Sequence, residues 1–153
     1  MTKFLCTVAF KPLTYPDKPT VAPDTSNHVA LGKYLATAKI ECFACNSGSF
    51  RTMNIDVPEK SEGYMAGGNP IPGHGGMLII SANLTPNKKT GIGSWTEDQF
   101  VRAVKYGNRP DGTNNREPMP PFATMTDQEA HAIFAYLSTL PPVSNKIERT
   151  LAD

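Results

Sequence analysis

The sequence predicts a mainly α domain: three to five short helices joined by long, ordered loops. Three observations predict it. Fourteen prolines and twelve glycines make up about a sixth of the 153 residues, too much punctuation for long helices or a large sheet. Three segments, near residues 26–38, 94–106 and 126–140, combine helical periodicity with their own start signals. Only one run, Met77 to Ala82, reads as strand-like. The chain is long enough for one domain with a real core, yet only 39% of its residues are hydrophobic. A small domain of this kind often needs a cofactor or staples to fill its interior.

Taken in order, residues 1–25 form an N-terminal tether or anchor remnant. Phe4 to Phe10 is apolar but seven residues long, too short to act alone as a signal or membrane anchor. Lys3 stands where a lipid-attachment motif needs an aliphatic residue, which argues against a modified Cys6. Prolines at 12, 16, 19 and 23 keep the following stretch extended. The first helix starts at Ser26 or Asn27, both good N-caps, with Val29, Leu31, Leu35 and Ala38 on its apolar side. Gly32 inside it costs about 1 kcal/mol against alanine, a cost that is tolerable if another helix crosses there closely. Residues 47–93 contain no convincing helix, and Gly63 to Gly76 holds six glycines and two prolines. So long an irregular stretch is expected to wrap something. Ser94 with Glu97 reads as a capping box opening the second helix, and Thr126 with Glu129 as one opening the last. Pro141 and Pro142 stop that helix, and a solvated tail follows.

The net charge of +1 offers no basic field for nucleic acid, and no run of 18 apolar residues reads as a membrane-spanning helix. Three cysteines cannot close a disulfide framework. Cys42 and Cys45 belong together by spacing and leave Cys6 over. The five residues Cys42-Phe43-Ala44-Cys45-Asn46 would form the attachment motif of a c-type haem if residue 46 were histidine.

The order of helix, Cys-x-x-Cys, long loops, helix, proline-rich methionine loop and final helix resembles a class I c-type cytochrome domain. The resemblance covers about Ser26 to Val143 and is similar to the single-haem domains or subunits of bacterial dehydrogenases and respiratory complexes. It is carried by Gly32-Lys33-Tyr34-Leu35-Ala36-Thr37, Cys42-Phe43-Ala44-Cys45, Ala82-Asn83-Leu84-Thr85-Pro86, Thr90-Gly91-Ile92-Gly93-Ser94-Trp95-Thr96, Arg109-Pro110-Asp111-Gly112 and Pro118-Met119-Pro120-Pro121-Phe122. It implies a cytochrome c fold over residues 26–143, wrapped around one covalent haem c, with 144–153 as a C-terminal tail. Cys42 and Cys45 would supply the haem thioethers, Asn46 would occupy the proximal-ligand position, and Met119 would be the distal axial ligand. Trp95 and Phe122 would line or support the pocket, or belong to ordinary core. A thioether favours Fe(II), so a His/Met pair raises the reduction potential.

The implied function is one-electron transfer between a dehydrogenase or respiratory complex and an acceptor cytochrome or oxidase, with no substrate chemistry asked of the polypeptide. The implied location is the periplasm, with room for a membrane tether through the N-terminus. Arg102, Lys105, Arg109 and Arg116 would form either a docking rim for redox partners or a solvated face.

Asn46 departs from the family. Three readings stand: an engineered or misassigned residue in an otherwise ordinary member, a genuine change with a weak or missing proximal ligand, or a chain without haem. His74, in the loop Gly73-His74-Gly75-Gly76, is the fallback ligand; His28 and His131 read as exposed or structural. Two alternatives accompany the carrier: a haem module with an open iron that binds small ligands, and a haem-free dithiol protein. The dithiol lacks the βαβ context of redox-active Cys-x-x-Cys motifs. Zinc would need two further ligands.

Overall fold

The computed structural model describes residues 21–148. The expectations for Phe4 to Phe10, Cys6 and most of the tether lie outside the described residues. Within them the chain is mainly α, with four α-helices and one two-stranded hairpin.

Helix α1 spans His28–Tyr34 and opens at Asn27, whose Oδ1 accepts from the Ala30 N–H at 3.0 Å. The expected continuation to about residue 38 is present, but as a π-helical turn over Leu35–Lys39, closed by Ile40 N–H to Leu35 C=O at 2.8 Å. Glu41 then takes a left-handed conformation (φ 57°) and redirects the chain into α2, Cys42–Asn46. Helix α3 spans Glu97–Tyr106 and α4 spans Asp127–Ser138.

The start of α3 corrects the sequence reading. The spacing Ser/Thr-x-x-Glu/Gln occurs twice in a row here, and the second instance forms the box. Thr96 Oγ1 accepts from the Gln99 N–H at 3.2 Å, and Gln99 Oε1 accepts from the Thr96 N–H at 2.9 Å. Ser94 cannot cap because Ile92 is buried and its carbonyl accepts from the Trp95 N–H at 2.9 Å, so residues 92–95 close a turn before the helix begins. In α4 the expected box is in place. Thr126 Oγ1 accepts from the Glu129 N–H at 3.2 Å, and Glu129 Oε2 accepts from the Thr126 N–H at 3.0 Å.

The crossing of α1 and α4 is the centre of the fold. A Cβ on Gly32 would lie 1.8 Å from the Ala132 carbonyl oxygen and 2.8 Å from Tyr136 Cβ. The predicted close approach is therefore real, with backbone of α4 resting on backbone of α1. Leu31, Leu35 and Ala36 from the first helical segment pack with Ala132, Ile133, Tyr136 and Leu137 in one core. Leu35, Ile133 and Leu137 are completely buried, and truncating any of them costs about 2–5 kcal/mol. Phe100 of α3 joins the same core, its ring 5.3 Å from that of Phe134.

The strand-like run is shorter than expected. Strand β2, Leu78–Ile80, pairs antiparallel with β1, Pro70–Pro72, in the register Pro70 to Ile80, Ile71 to Ile79 and Pro72 to Leu78. Two residues after Pro142, in the stretch that the sequence reads as a solvated tail, hydrogen-bond back to the domain while their neighbours are exposed. Val143 C=O accepts from Asn83 Nδ2 at 2.9 Å, its N–H donates to Thr85 Oγ1 at 3.1 Å, and Asn145 Nδ2 donates to Ala66 C=O at 2.9 Å. The 82–86 stretch thus holds Val143. No helix among the described residues is long and apolar enough to cross a membrane.

Candidate functional site

Cys42 and Cys45 lie three residues apart on α2, so both thiols project from one side of a single helical turn. Four neighbours fix that helix. Ser47 Oγ donates to Phe43 C=O at 2.6 Å, and Gly67 N–H donates to Asn46 C=O at 2.8 Å. Gly48 N–H reaches Glu62 C=O at 2.8 Å, and the buried Asn69 donates from Nδ2 to Ala44 C=O at 3.5 Å. Gly67 has φ +71°, and a Cβ there would lie 2.6 Å from the backbone of Ser81 and Ala82, so only glycine lets this loop close over α2.

The environment of the two thiols bears on the chemistry they can do. Burial pushes the Cys42 thiol up to about 12. Cys45 is more open, but its thiol is also pushed up, by partial burial and by the Glu41 carboxylate. A redox-active dithiol needs a depressed thiol pKa, and here both are raised. A thioether carries no charge in any state, so the same apolar setting suits it. Among the described residues no three His, Cys, Asp or Glu side chains group to hold a metal ion.

Met119 is half-buried and packs against the same core as Cys42. Its loop hangs from α3: Asn115 Nδ2 donates to Ala103 C=O at 2.8 Å, and Phe122 N–H donates to Val104 C=O at 3.0 Å. With Pro72, Gly73, Glu117, Pro118, Pro120 and Pro121, Met119 lines a cavity of about 570 Å³, inside the range of roughly 300–1,000 Å³ typical of cofactor sites. The cysteines and Asn46 do not line this cavity.

Trp95 and Phe122 also edge the core, and Phe122 lines a second, smaller cavity with Ile40 and Met125. The Arg109 guanidinium lies 5.3 Å from the Trp95 ring centroid. Residue 74 opens a 3₁₀ turn directly after Gly73, which places its backbone next to the Met119 cavity. His28 is exposed at the start of α1, and His131 is 3.8 Å from Glu97.

Asn46 is 9% exposed, and its Nδ2 donates 3.0 Å back to Cys42 C=O, four residues earlier. The Arg102–Arg116 rim needs one correction. Lys105 is buried, with Nζ 2.5 Å from Asp127 Oδ1, so it does not belong to a solvated surface.

Three contributors were absent from the sequence reading. Asn69 and Ser47 hold α2, and Tyr64 stacks near Phe43 (ring centroids 6.5 Å apart) while its hydroxyl meets that of Tyr136 at 2.8 Å. Burial and this hydroxyl pair push the Tyr64 pKa upward. Ser47, directly after a short helix, carries a legible signal for bonding back to the preceding turn. Asn69, inside a glycine-rich loop, carries none.

No family model matches the chain. It is 31% identical to the fructose dehydrogenase cytochrome subunit of Gluconobacter japonicus, over 91% of this chain and 26% of that subunit. It is 35% identical to the gluconate 2-dehydrogenase cytochrome c subunit of Pantoea cypripedii, over 76% of this chain and 24% of that one. The cytochrome c subunit of alcohol dehydrogenase (quinone) from Gluconacetobacter polyoxogenes shares 29% identity, over 81% and 27%. The chain is a c-type cytochrome domain. It spans about a quarter of the length of the curated relatives it matches.

A cytochrome domain of this family implies haem c, and the residues present fit it in part. Two thiols one helical turn apart and a half-buried methionine thioether against the same core match the thioether anchors and one axial donor. The carboxamide at position 46 does not match a proximal imidazole.

Proposed function

We propose that this cytochrome domain is a one-electron carrier with one covalent haem c, passing electrons from a dehydrogenase to an acceptor cytochrome or oxidase. The observation that carries the reading is the setting of the Cys-x-x-Cys turn. Both thiols sit where thiolate chemistry is suppressed, on a helix packed into the same core as Met119. The bound haem supplies the Fe(II)/Fe(III) couple; the rest belongs to the chain. Cys42 and Cys45 anchor the ring edge through α2, which Ser47, Gly67 and Asn69 hold in place. Met119 offers its sulfur from a loop that Pro118, Pro120 and Pro121 stiffen and α3 fixes.

The domain comprises residues 26–143, with 1–25 as a tether and the following residues as a tail pinned at its start by Asn83 and Thr85. The relatives' names support a dehydrogenase partner, and electrons leave through small, charge-steered contacts. The periplasm is the proposed location, with membrane association through the N-terminus. The polypeptide performs no substrate chemistry, so the domain serves as an electron-transfer part of a larger oxidoreductase.

A redox titration of the purified chain tests the reading. A reversible one-electron couple with reduced cytochrome bands supports it, and a Met119→Ala change that lowers the potential assigns the sulfur donor. A chain with no reducible chromophore after expression with haem-attachment machinery contradicts it.

A further inference from the structure

The geometry points to Asn145 as a positioning residue for the Cys42–Cys45 turn, acting through the loop of residues 63–68 that closes over α2. What the two thiols are held for rests on the haem reading above; the holding itself is read from the chain. The loop meets α2 at its C-terminal end. Gly67 N–H donates to Asn46 C=O at 2.8 Å, and Met65 N–H donates at 3.4 Å to Ser47 Oγ, whose own hydrogen goes to Phe43 C=O.

Those contacts need a costly backbone. Four of the loop's six residues, Gly63, Met65, Gly67 and Gly68, have φ between 56° and 103°. Glycine enters this region freely, whereas a methionine there is strained and persists only where its surroundings fix it. Met65 C=O accepts from Leu84 N–H at 2.8 Å, and Gly68 N–H donates to Ser81 C=O at 3.1 Å, so both sides of the turn are tied down. The carbonyls of Ala66 and Gly67 are held by Asn145, whose Nδ2 donates to them at 2.9 and 3.4 Å. A primary amide carries two hydrogens on one nitrogen, so one side chain can hold two consecutive carbonyls. Asn145 is anchored in turn: its N–H donates to Thr90 Oγ1 at 3.2 Å, and its C=O accepts from Asn83 Nδ2 at 3.4 Å. One bond from this side chain to the loop and one from the loop to Asn46 therefore connect Asn145 to the residue after Cys45. Ala66 is buried, so loss of the amide takes a donor from a buried carbonyl. The loop then opens toward water, and Gly67 releases Asn46.

The full chain, isolated from cells with haem-attachment machinery, is compared as wild type, Asn145→Ala and Asn145→Asp. Thr96→Ala, which loses the cap of α3, serves as a destabilised control away from the loop. Asn145→Asp keeps the shape of the side chain and replaces its NH2 donor by an oxygen; it decides alone if the alanine variant does not fold. Amide hydrogen exchange followed by NMR reads Gly67 for the loop and Asn46 for the last turn of α2. The expected result is exchange about two- to tenfold faster at both amides in the Asn145 variants, the worth of one lost hydrogen bond, and unchanged in Thr96→Ala.

Wild-type rates at Gly67 in the Asn145 variants overturn the inference. So does faster exchange at Gly67 with Asn46 unmoved, since the loop would then not hold α2. Equal acceleration in Thr96→Ala also overturns it, because Asn145 would then act through overall stability alone. Intact mass reads haem separately: a wild type without haem overturns the proposed function, while the exchange rates still decide the role of Asn145.

Discussion

Gly32→Ala isolates the contact on which the fold depends. By helix propensity alone the change stabilises α1 by about 1 kcal/mol. The new methyl carbon, however, would lie 1.8 Å from the Ala132 carbonyl oxygen, 2.5 Å from its carbon and 2.8 Å from Tyr136 Cβ. Two of these are backbone atoms in the middle of α4 and cannot rotate away, so the helices must separate. Overpacking of this kind costs about 1–3 kcal/mol and occasionally more, and separation also loosens fully buried Leu35, Ile133 and Leu137. With the clash at or above the top of that range, the net loss is roughly 2 kcal/mol, a fall in melting temperature of about 4–8 °C for a domain of this size. Urea unfolding followed by circular dichroism measures it. A Gly32→Ala chain as stable as the wild type, or more stable, would refute the backbone contact between α1 and α4.

Other expectations follow from the site and its supports. Tyr64→Phe removes one partner of the 2.8 Å hydroxyl pair and should cost about 1 kcal/mol by the same unfolding assay; no change would mean the pair contributes nothing. In the cofactor-free chain, a Cys42 thiol with a pKa of about 12 is only about one part in ten thousand thiolate at about pH 8. Alkylation followed by peptide mass mapping should therefore label Cys45 long before Cys42, and equal rates would contradict the burial. The Lys105 ion pair holds the Asp127 carboxyl below its usual 3.8, so its contribution is present above that value and is lost as the pH falls through the lowered pKa. Asp127→Asn should accordingly destabilise the protein near neutral pH and converge with the wild type once the pH has fallen through the lowered pKa. A deficit that persists in acid would place the effect in packing rather than charge.

Much of this was legible in the sequence where one residue has one physical reason to be there. A glycine within an apolar helical stripe needs a close neighbour, and Gly32 has one. The Thr126 box sits alone in its segment and forms as read. The second box was misplaced because Ser94 and Thr96 both have a partner three residues on, and the choice is made by Ile92 and Trp95, whose turn depends on tertiary burial. Lys105 reads as a surface cation because charge is visible in sequence and its burial beside Asp127, 22 residues on, is not. At the site, the Cys42–Cys45 pair and the proline-flanked Met119 stand out by local spacing. Asn69 and the Tyr64–Tyr136 pair act across 25 and 72 residues of chain, distances over which no local pattern reports.

The central claim is that Cys42 and Cys45 anchor a haem. The intact mass of the purified chain, recorded with its visible spectrum under denaturing conditions, tests it most directly. The account predicts the mass of the polypeptide plus one haem, a Soret band that stays with the denatured chain, and loss of both in a Cys42→Ala, Cys45→Ala double variant. A bare polypeptide mass with no Soret band, from cells that mature other c-type cytochromes, would contradict it.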